Sequence, residues 1–424
     1  MRDNETNLRL TERALIRGAR FAFDRNLTSF DPRDTLLRFS VMAWAATHPT
    51  LVGRVIMSIG NRLSSAFPFT LRSICGVRPN CESQSLMLAI MLCIHLDKIE
   101  GEDWASRIDR LFSELMARAI TDDKGMGWSS PNPFQVHEPG GNVVIVTATS
   151  RVVHTTLLAA NVLMLPTFLL GNERARDAVR KIAKFLAHGI FRTVLPSGAL
   201  AFAYSDVDQS RIINVTAETA SFLVRAGRAF DRADWVEIGL GGARFVLESM
   251  RSDGSWGYEA EASSPVDNCH TVMNLKSLLE ILEENASSRI DAVERMASQI
   301  RGVVDRGLRY YLDTFFREDG MAKFVSTSRP VERSYDTAYA IRMLIAVVKS
   351  SLFDEGQRGE CDALLERVVG YALTHNQREN GEFILRRRGG KEYWFPNMRY
   401  GQLQMCVALA EYRELRQMHA AESA

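Results

Sequence analysis

The chain has 424 residues, 46% hydrophobic and 24% charged, with only 12 prolines, a composition that can bury a large core and shows no sign of extended disorder. Lys and Arg number 52 against 51 Asp and Glu, a formal charge of +1, so the whole molecule has no electrostatic pull toward nucleic acid. The six cysteines form no CxxC pair and no dense framework, which reads as reduced thiols in a cytoplasmic protein.

The N-terminus, "MRDNETNLRLTERALIRG", is charged and lacks the apolar centre of a signal peptide. Residues 1–30 are expected as a helical extension, and 31–424 as one domain. Amphipathic, more polar patterns predict outer-type helices near 34–48, 103–119, 174–191, 233–250, 291–316 and 360–376. More uniformly apolar patterns alternate with them at 84–98, 153–170, 217–231, 268–284, 335–350 and 399–416. A helix apolar on nearly all sides must be buried on nearly all sides. None of these runs reaches the ~18–20 apolar residues of a membrane span. The strongest candidate, "TTLLAANVLMLPTFLLG", contains Pro166 and reads as a core helix, so no transmembrane segment is expected.

Five polar turns with a glycine, each followed by an aromatic, separate the outer from the inner patterns. They are "DDKGMGW" (Gly125, Trp128), "PSGALAF" (Gly198, Phe202), "SDGSWGY" (Gly254, Trp256), "EDGMAKF" (Gly320, Phe324) and "ENGEF" (Gly381, Phe383). The glycines recur every 56 to 73 residues, the length of two helices and two connections. Glycine suits the left-handed stop of a helix, and Asp-Gly or Asn-Gly favours a tight turn.

Six helix pairs can bury six apolar helices by closing into a ring, the inner helices forming a barrel and the outer ones covering it. Helix pairs of ~34–47 residues also stack as open solenoids, but these units are longer and irregular and stop at six. The expected fold is therefore all-α, an (α/α)6 toroid with short β excursions at one rim. In such a ring every outer-to-inner connection opens at the same rim, which is where a ligand site is expected.

"VVGYALTHNQRENGEF", with Gln377 before Gly381, and "GARFVLESMRSDGSW", with Met250 in the glutamine position, resemble the QW repeat of terpenoid cyclases and prenyltransferases. The resemblance implies a tie between a helix end and the next turn. A second resemblance covers almost the whole chain. "SFDPRDTLL", "FAYSDVDQSRIIN", "DGSWGY" followed by "VDNCHTVMNL", "GLRYYLDTFFREDGMAKF" and "NMRYGQ" occur in this order. They resemble bacterial proteins of the VpsJ type, encoded among exopolysaccharide-biosynthesis genes. The departures are Cys269 and Tyr400 at usually aromatic and tryptophan positions, Ser334 at a usual histidine, and Tyr258-Glu259-Ala260-Glu261 for Tyr-Gly-Glu.

The candidate chemistries differ in what they require. Asp267 and Cys269 stand in the Asp-x-Cys order of a prenyltransferase zinc site, but "VERSYDTAYAI", one unit later, lacks the histidine that would complete three protein ligands. No metal and no other cofactor is expected. Terpene cyclisation needs an aspartate-rich cluster that "DVDQ" does not supply. Toroid glycosidases need two carboxylates, for which Asp267, Glu218, Glu259, Glu261, Glu332 and Asp336 are available. Lyase or epimerase chemistry needs a base and an enolate-neutralising group. His270, Tyr258 and Tyr335 are candidate bases, and Arg399, Asn268 and Gln402 candidate stabilisers. Trp128, Trp256 and Trp394 are candidate sugar-stacking faces, and the basic "ILRRRGGKEYW" is a candidate anion holder. Asp267 also reads as an N-cap and Trp256 as a turn-packing residue.

The favoured reading is a carbohydrate-active enzyme of exopolysaccharide biosynthesis, acting on a glycan or lipid-linked oligosaccharide. The alternatives are a non-catalytic scaffold that binds glycan or pathway glycosyltransferases, and a prenyltransferase- or cyclase-like enzyme.

Overall fold

The computed structural model describes residues 2–422 except 32, 33, 35, 36, 38, 49, 100–103, 260–263, 327–330, 394 and 395. Its helices are α1 (Arg2–Asp24), α2 (Ser40–Thr47), α3 (Leu51–Ala66), α4 (Pro68–Ile74), α5 (Ser83–Leu96) and α6 (Trp104–Ala117). They continue with α7 (Val153–Leu163), α8 (Pro166–Leu169), α9 (Glu173–Lys184), α10 (Ile213–Ala229) and α11 (Ala233–Glu248). The last are α12 (Asn268–Ser287), α13 (Asp291–Phe315), α14 (Ser334–Lys349), α15 (Glu355–His375) and α16 (Leu403–Glu422). Short strands lie between them: β1 (Ile120–Asp122) with β2 (Gly125–Gly127), β3 (Phe134–His137) with β4 (Val143–Val146), and β5 (Arg192–Val194) with β6 (Leu200–Phe202). A three-stranded sheet joins β7 (Val331–Glu332), β8 (Arg386–Arg388) and β9 (Lys391–Tyr393).

Helices α5, α7, α10, α12, α14 and α16 each pack on the next, and α16 packs back on α5. The ring is closed, an (α/α)6 toroid as expected. Burial explains which helices are inside. Leu86 to Ile90 of α5 and Leu403 to Ala410 of α16 are consecutive and all buried, more than a full turn each, so no face is left for water. In α9 only Ala175, Ala178, Val179, Ile182 and Ala183 are buried, the three-to-four spacing of a helix with one covered face.

The outer layer is α1, α6, α9, α11, α13 and α15. Helix α1 packs on α16 and α15, so Arg2–Asp24, within the expected extension 1–30, forms the sixth outer helix. The turn glycines show the same closure. Gly320 and Gly381 have φ of +91° and +89°, and a Cβ there would run into the Arg367 carbonyl of α15 and the Arg17 carbonyl of α1. Each turn thus seats on the next outer helix, and the fifth seats on the first. Gln377 adds to that contact, donating from Nε2 to the Ala14 carbonyl at 2.7 Å. The outer helix expected at 34–48 is replaced by an insertion, α2 to α4, between α1 and α5. The inner helix expected at 153–170 breaks at Pro166, which has no N–H to continue the ladder and starts α8.

The segments that enter the inner helices are linked around the rim by single antiparallel bridges: Val152 with Ser205, Ile212 with Glu259, and Asp267 with Val325. These bridges hold the residues before α7, α10 and α12 in register with the following unit.

Candidate functional site

The rim encloses a cavity of about 730 Å³. All six inner helices contribute from their N-terminal ends: Gln84, His154, Asn214, His270, Tyr335 and, in the π-helical turn before α16, Arg399. Strand β3, Arg386 of β8, and Met57 and Asn61 of α3 form the outer wall. The first helical turn is where backbone N–H groups lack partners, so polar side chains are tolerated there on helices that are otherwise apolar.

Asp267 caps α12. Its Oδ1 accepts from the His270 backbone N–H at 3.0 Å, and its Oδ2 lies 2.6 Å from His270 Nδ1. Burial raises the pKa of this carboxyl, but the His270 ring and N–H and the Arg333 charge outweigh it and hold the group at about 2. An ionised carboxylate only accepts, so Nδ1 carries the proton, and whenever the ring holds a single proton Nε2 keeps its lone pair. The Tyr258 ring sits 4.6 Å from the imidazole, tilted by 57°. Tyr335 donates to the Tyr339 hydroxyl at 3.3 Å and meets Tyr400 edge-on at 5.2 Å. Burial pushes its phenol well above the ordinary range, so at neutral pH it is a donor and not a ready base.

Arg399 lines the cavity but is not a free anion site. It is buried, paired with Asp31, and held at 2.9 Å by Glu82. Burial pushes the Glu82 carboxyl up to about 7, against the pull of Arg399. Two acids around one guanidinium leave no spare positive charge for an enolate.

Several expected ligand contacts belong to the scaffold. Trp128 and Trp256 are fully buried, and each indole N–H donates at 2.9 Å to a carbonyl in the last turn of the preceding outer helix, Leu115 and Val246 respectively. They complete helix C-termini, which corrects the stacking role. Gln402 accepts from the Phe383 N–H and donates to the Gly18 and Gly381 carbonyls. Asn268 donates to the Lys323 carbonyl and accepts from the Tyr311 hydroxyl. Asp336 is buried under Arg333, at 2.5 and 2.8 Å, and Glu332 is paired with Arg387 and Tyr371. None of these four is on the cavity wall. Arg386 of the basic hairpin lines the cavity, while Arg387 is engaged by Glu332 and Glu392. Trp394 and Glu261 lie outside the described residues.

Asp267, Cys269 and His270 offer metal-ligand atoms within 4.8 Å of one another. The donor set suits a cation poorly. Burial and Asp267 raise the Cys269 thiol well above its ordinary pKa, and the Arg333 guanidinium lies 3.7 Å from Sγ, where it would repel a metal ion.

The sequence reading missed His154 in α7. Its Nδ1 lies 3.0 Å from Glu218 Oε2 of α10, a second carboxylate-oriented imidazole on the same cavity. Between the two histidines in ring order comes Asn214 of α10, whose buried Oδ1 has no hydrogen-bond partner among the described residues. The available signal was a polar residue in the first turn of each apolar helix, which marks Gln84, His154 and Asn214 as well as His270.

No protein-family model matches this sequence, and no curated protein matches it. Solved structures do match. A possible member of the GH105 family from Salmonella enterica aligns at 14% identity over 78% of this chain and 83% of its own, with a TM-score of 0.56. Cellobiose 2-epimerase from Bacillus thermoamylovorans aligns at 9% identity over 78% and 87%, also at 0.56. A glycosyl hydrolase family 88 protein from Bacteroides vulgatus aligns at 8% identity over 78% and 91%, at 0.54. At these identities the likeness is one of fold, and the fold of this chain is the (α/α)6 toroid.

Proposed function

We infer that this protein is a carbohydrate-active enzyme of bacterial exopolysaccharide biosynthesis, related to the VpsJ type, which works in the cytoplasm on a glycan held in the rim cavity. Within that class, proton transfer of the epimerase or lyase kind suits the residues better than hydrolysis. The observation that carries this reading is the Asp267–His270 pair, an imidazole on the cavity wall whose tautomer is set by a carboxylate held ionised. A base of this kind takes the proton from a sugar carbon next to a carbonyl or carboxylate, and the electron pair left behind moves onto that oxygen. The Tyr335 phenol, kept protonated by burial, is on the same wall, and its single O–H would serve the developing oxyanion by turning away from the Tyr339 hydroxyl it now bonds.

Epimerisation also requires a group that returns the proton, and His154 with Glu218 lies on the same cavity for that role, with α10 between its helix α7 and α12. Hydrolysis needs one carboxyl held protonated beside the glycosidic bond. Asp267 is held ionised, Asp31 is tied to Arg399, Glu218 is engaged by His154, and Glu332 and Asp336 face arginines off the cavity wall, which leaves Glu259 as the one further candidate carboxylate on that wall among the described residues. A cellobiose 2-epimerase and a glycosyl hydrolase family 88 protein share the fold, which agrees with a sugar-directed site.

The test is polymer yield in strains carrying His270→Ala or Asp267→Asn, with the melting temperature of each purified variant. The expected result is loss of polymer from variants that stay folded, with the melting temperature lowered by no more than the loss of the Asp267 charge pairing, about 2 kcal/mol, accounts for. Normal polymer yield from stable variants would remove both residues from the mechanism.

A further inference from the structure

The insertion α2 to α4 breaks the burial rule that the toroid obeys. Seventeen large hydrophobic residues are exposed among the described residues, and eleven of them lie between Phe39 and Ile74. Four form one stripe along α3: Leu51, Val55, Ile59 and Leu63, spaced by four residues, with Leu51 71% exposed. Residues at i and i+4 share a helix face, and the cavity-lining Met57, Asn61 and Ser64 fall on the opposite face of α3. Trp44, Phe67 and Ile74 of the flanking elements are exposed as well. Among the described residues no element covers these side chains.

Charge singles out the same segment. From Thr35 to Cys81 the sequence has five arginines (Arg38, Arg54, Arg62, Arg72 and Arg78) and no Asp or Glu, in a chain of 52 Lys and Arg against 51 Asp and Glu. Arg72 is buried and pins the segment to the toroid, with Nε 3.0 Å from Asp34 and a 2.7 Å bond to the Asp31 carbonyl. Arg54, Arg62 and Arg78 are exposed. An exposed apolar stripe flanked by arginine and aromatic side chains, without a carboxylate, matches a bilayer surface that carries anionic headgroups. A second copy of this chain matches it less well, because a self-complementary contact would bring arginines against arginines with no acid to offset them.

We propose that the α2–α4 insertion is a membrane-docking element that lays the α3 stripe into the interface of an anionic phospholipid bilayer. The toroid stays outside the bilayer, and the cavity mouth, whose outer wall includes the far face of α3, opens beside the headgroup layer. Docking does not depend on the catalytic reading. The further step, that the glycan in the cavity is lipid-linked, does rest on it.

The test is flotation of the full chain with vesicles of phosphatidylcholine alone and of phosphatidylcholine mixed with phosphatidylglycerol. Binding to the anionic vesicles is expected, and it weakens as salt rises. One arginine near an anionic surface strengthens binding roughly fivefold. Arg54→Glu with Arg62→Glu therefore lowers it by at least about 25-fold, and Val55→Asp with Ile59→Asp abolishes it. These residues are on the surface, so both variants keep the wild-type melting temperature. His270→Ala binds vesicles like wild type, so failure of the catalytic reading leaves this result untouched. No binding to anionic vesicles, or binding unchanged in both double variants, overturns the proposal. So does a concentration-dependent dimer in sedimentation that the Val55 and Ile59 substitutions dissolve while vesicles capture nothing.

Discussion

Two layers of the same rim look alike in sequence and differ in what they do. The turn layer holds Gly254, Trp256, Gly381 and Gln402, and its side chains point into packing and hydrogen bonds with helix ends. The next layer, the first turns of the inner helices, holds Gln84, His154, Asn214, His270 and Tyr335 on the cavity wall. The turn layer carries the conspicuous residues, tryptophans and glycines, because closing a ring needs tight turns and capped helices. The first-turn layer carries the chemistry, because only there does an otherwise apolar helix present polar groups toward open space. Substitutions in the first layer should therefore cost stability, and substitutions in the second should cost function.

The largest expected break in that comparison is Trp256→Ala. It removes a fully buried indole and leaves the Val246 carbonyl without its donor, which costs about 3–5 kcal/mol in denaturant unfolding. A loss below about 1 kcal/mol would deny the turn layer its structural role. Gly381→Ala comes next. The new Cβ meets the Arg17 carbonyl at a φ of +89°, and the strain costs roughly 2–3 kcal/mol. Because α1 closes the ring here, the variant should also loosen α1 first, read as faster amide exchange in Arg2–Asp24.

A smaller effect sharpens the account of Asp267. Its folded pKa of about 2 lies below the ordinary 3.8, so the unfolded state binds the proton more tightly. The contribution to stability is complete above about pH 4 and disappears as pH falls through about 2; it amounts to about 2 kcal/mol. Asp267→Asn should flatten that part of the acid limb. An unchanged acid limb would mean that the carboxylate is not held by His270 and Arg333.

Most of the ring was legible because its signal is periodic. Five glycine turns and six apolar helices recur along the chain, and burial on all sides follows from the apolar pattern alone. The sixth outer helix was not legible because the connection after α1 uses Asn26 and Leu27 at positive φ in place of a glycine. The amphipathic pattern of the insertion then supplied a false outer helix at 34–48. At the site, Asp267 and His270 are three residues apart and share one helix cap, so their pairing can be read locally. Arg399 could not be judged in the same way, because the acids that neutralise it, Asp31 and Glu82, are supplied from the other end of the chain. His154 escaped for the same reason, since Glu218 belongs to a different helix.

The central claim is that His270, oriented by Asp267, moves a proton at a sugar carbon. The direct measurement is incorporation of solvent deuterium into a carbon-bound position of the source strain's own polymer fragments, followed by NMR in D2O with the purified protein. Incorporation by the wild type is expected, with a loss of about 10²–10⁴-fold in a His270→Ala variant that remains folded. Incorporation at an equal rate in His270→Ala, or its absence from the wild type while the fragments are cleaved, would contradict it.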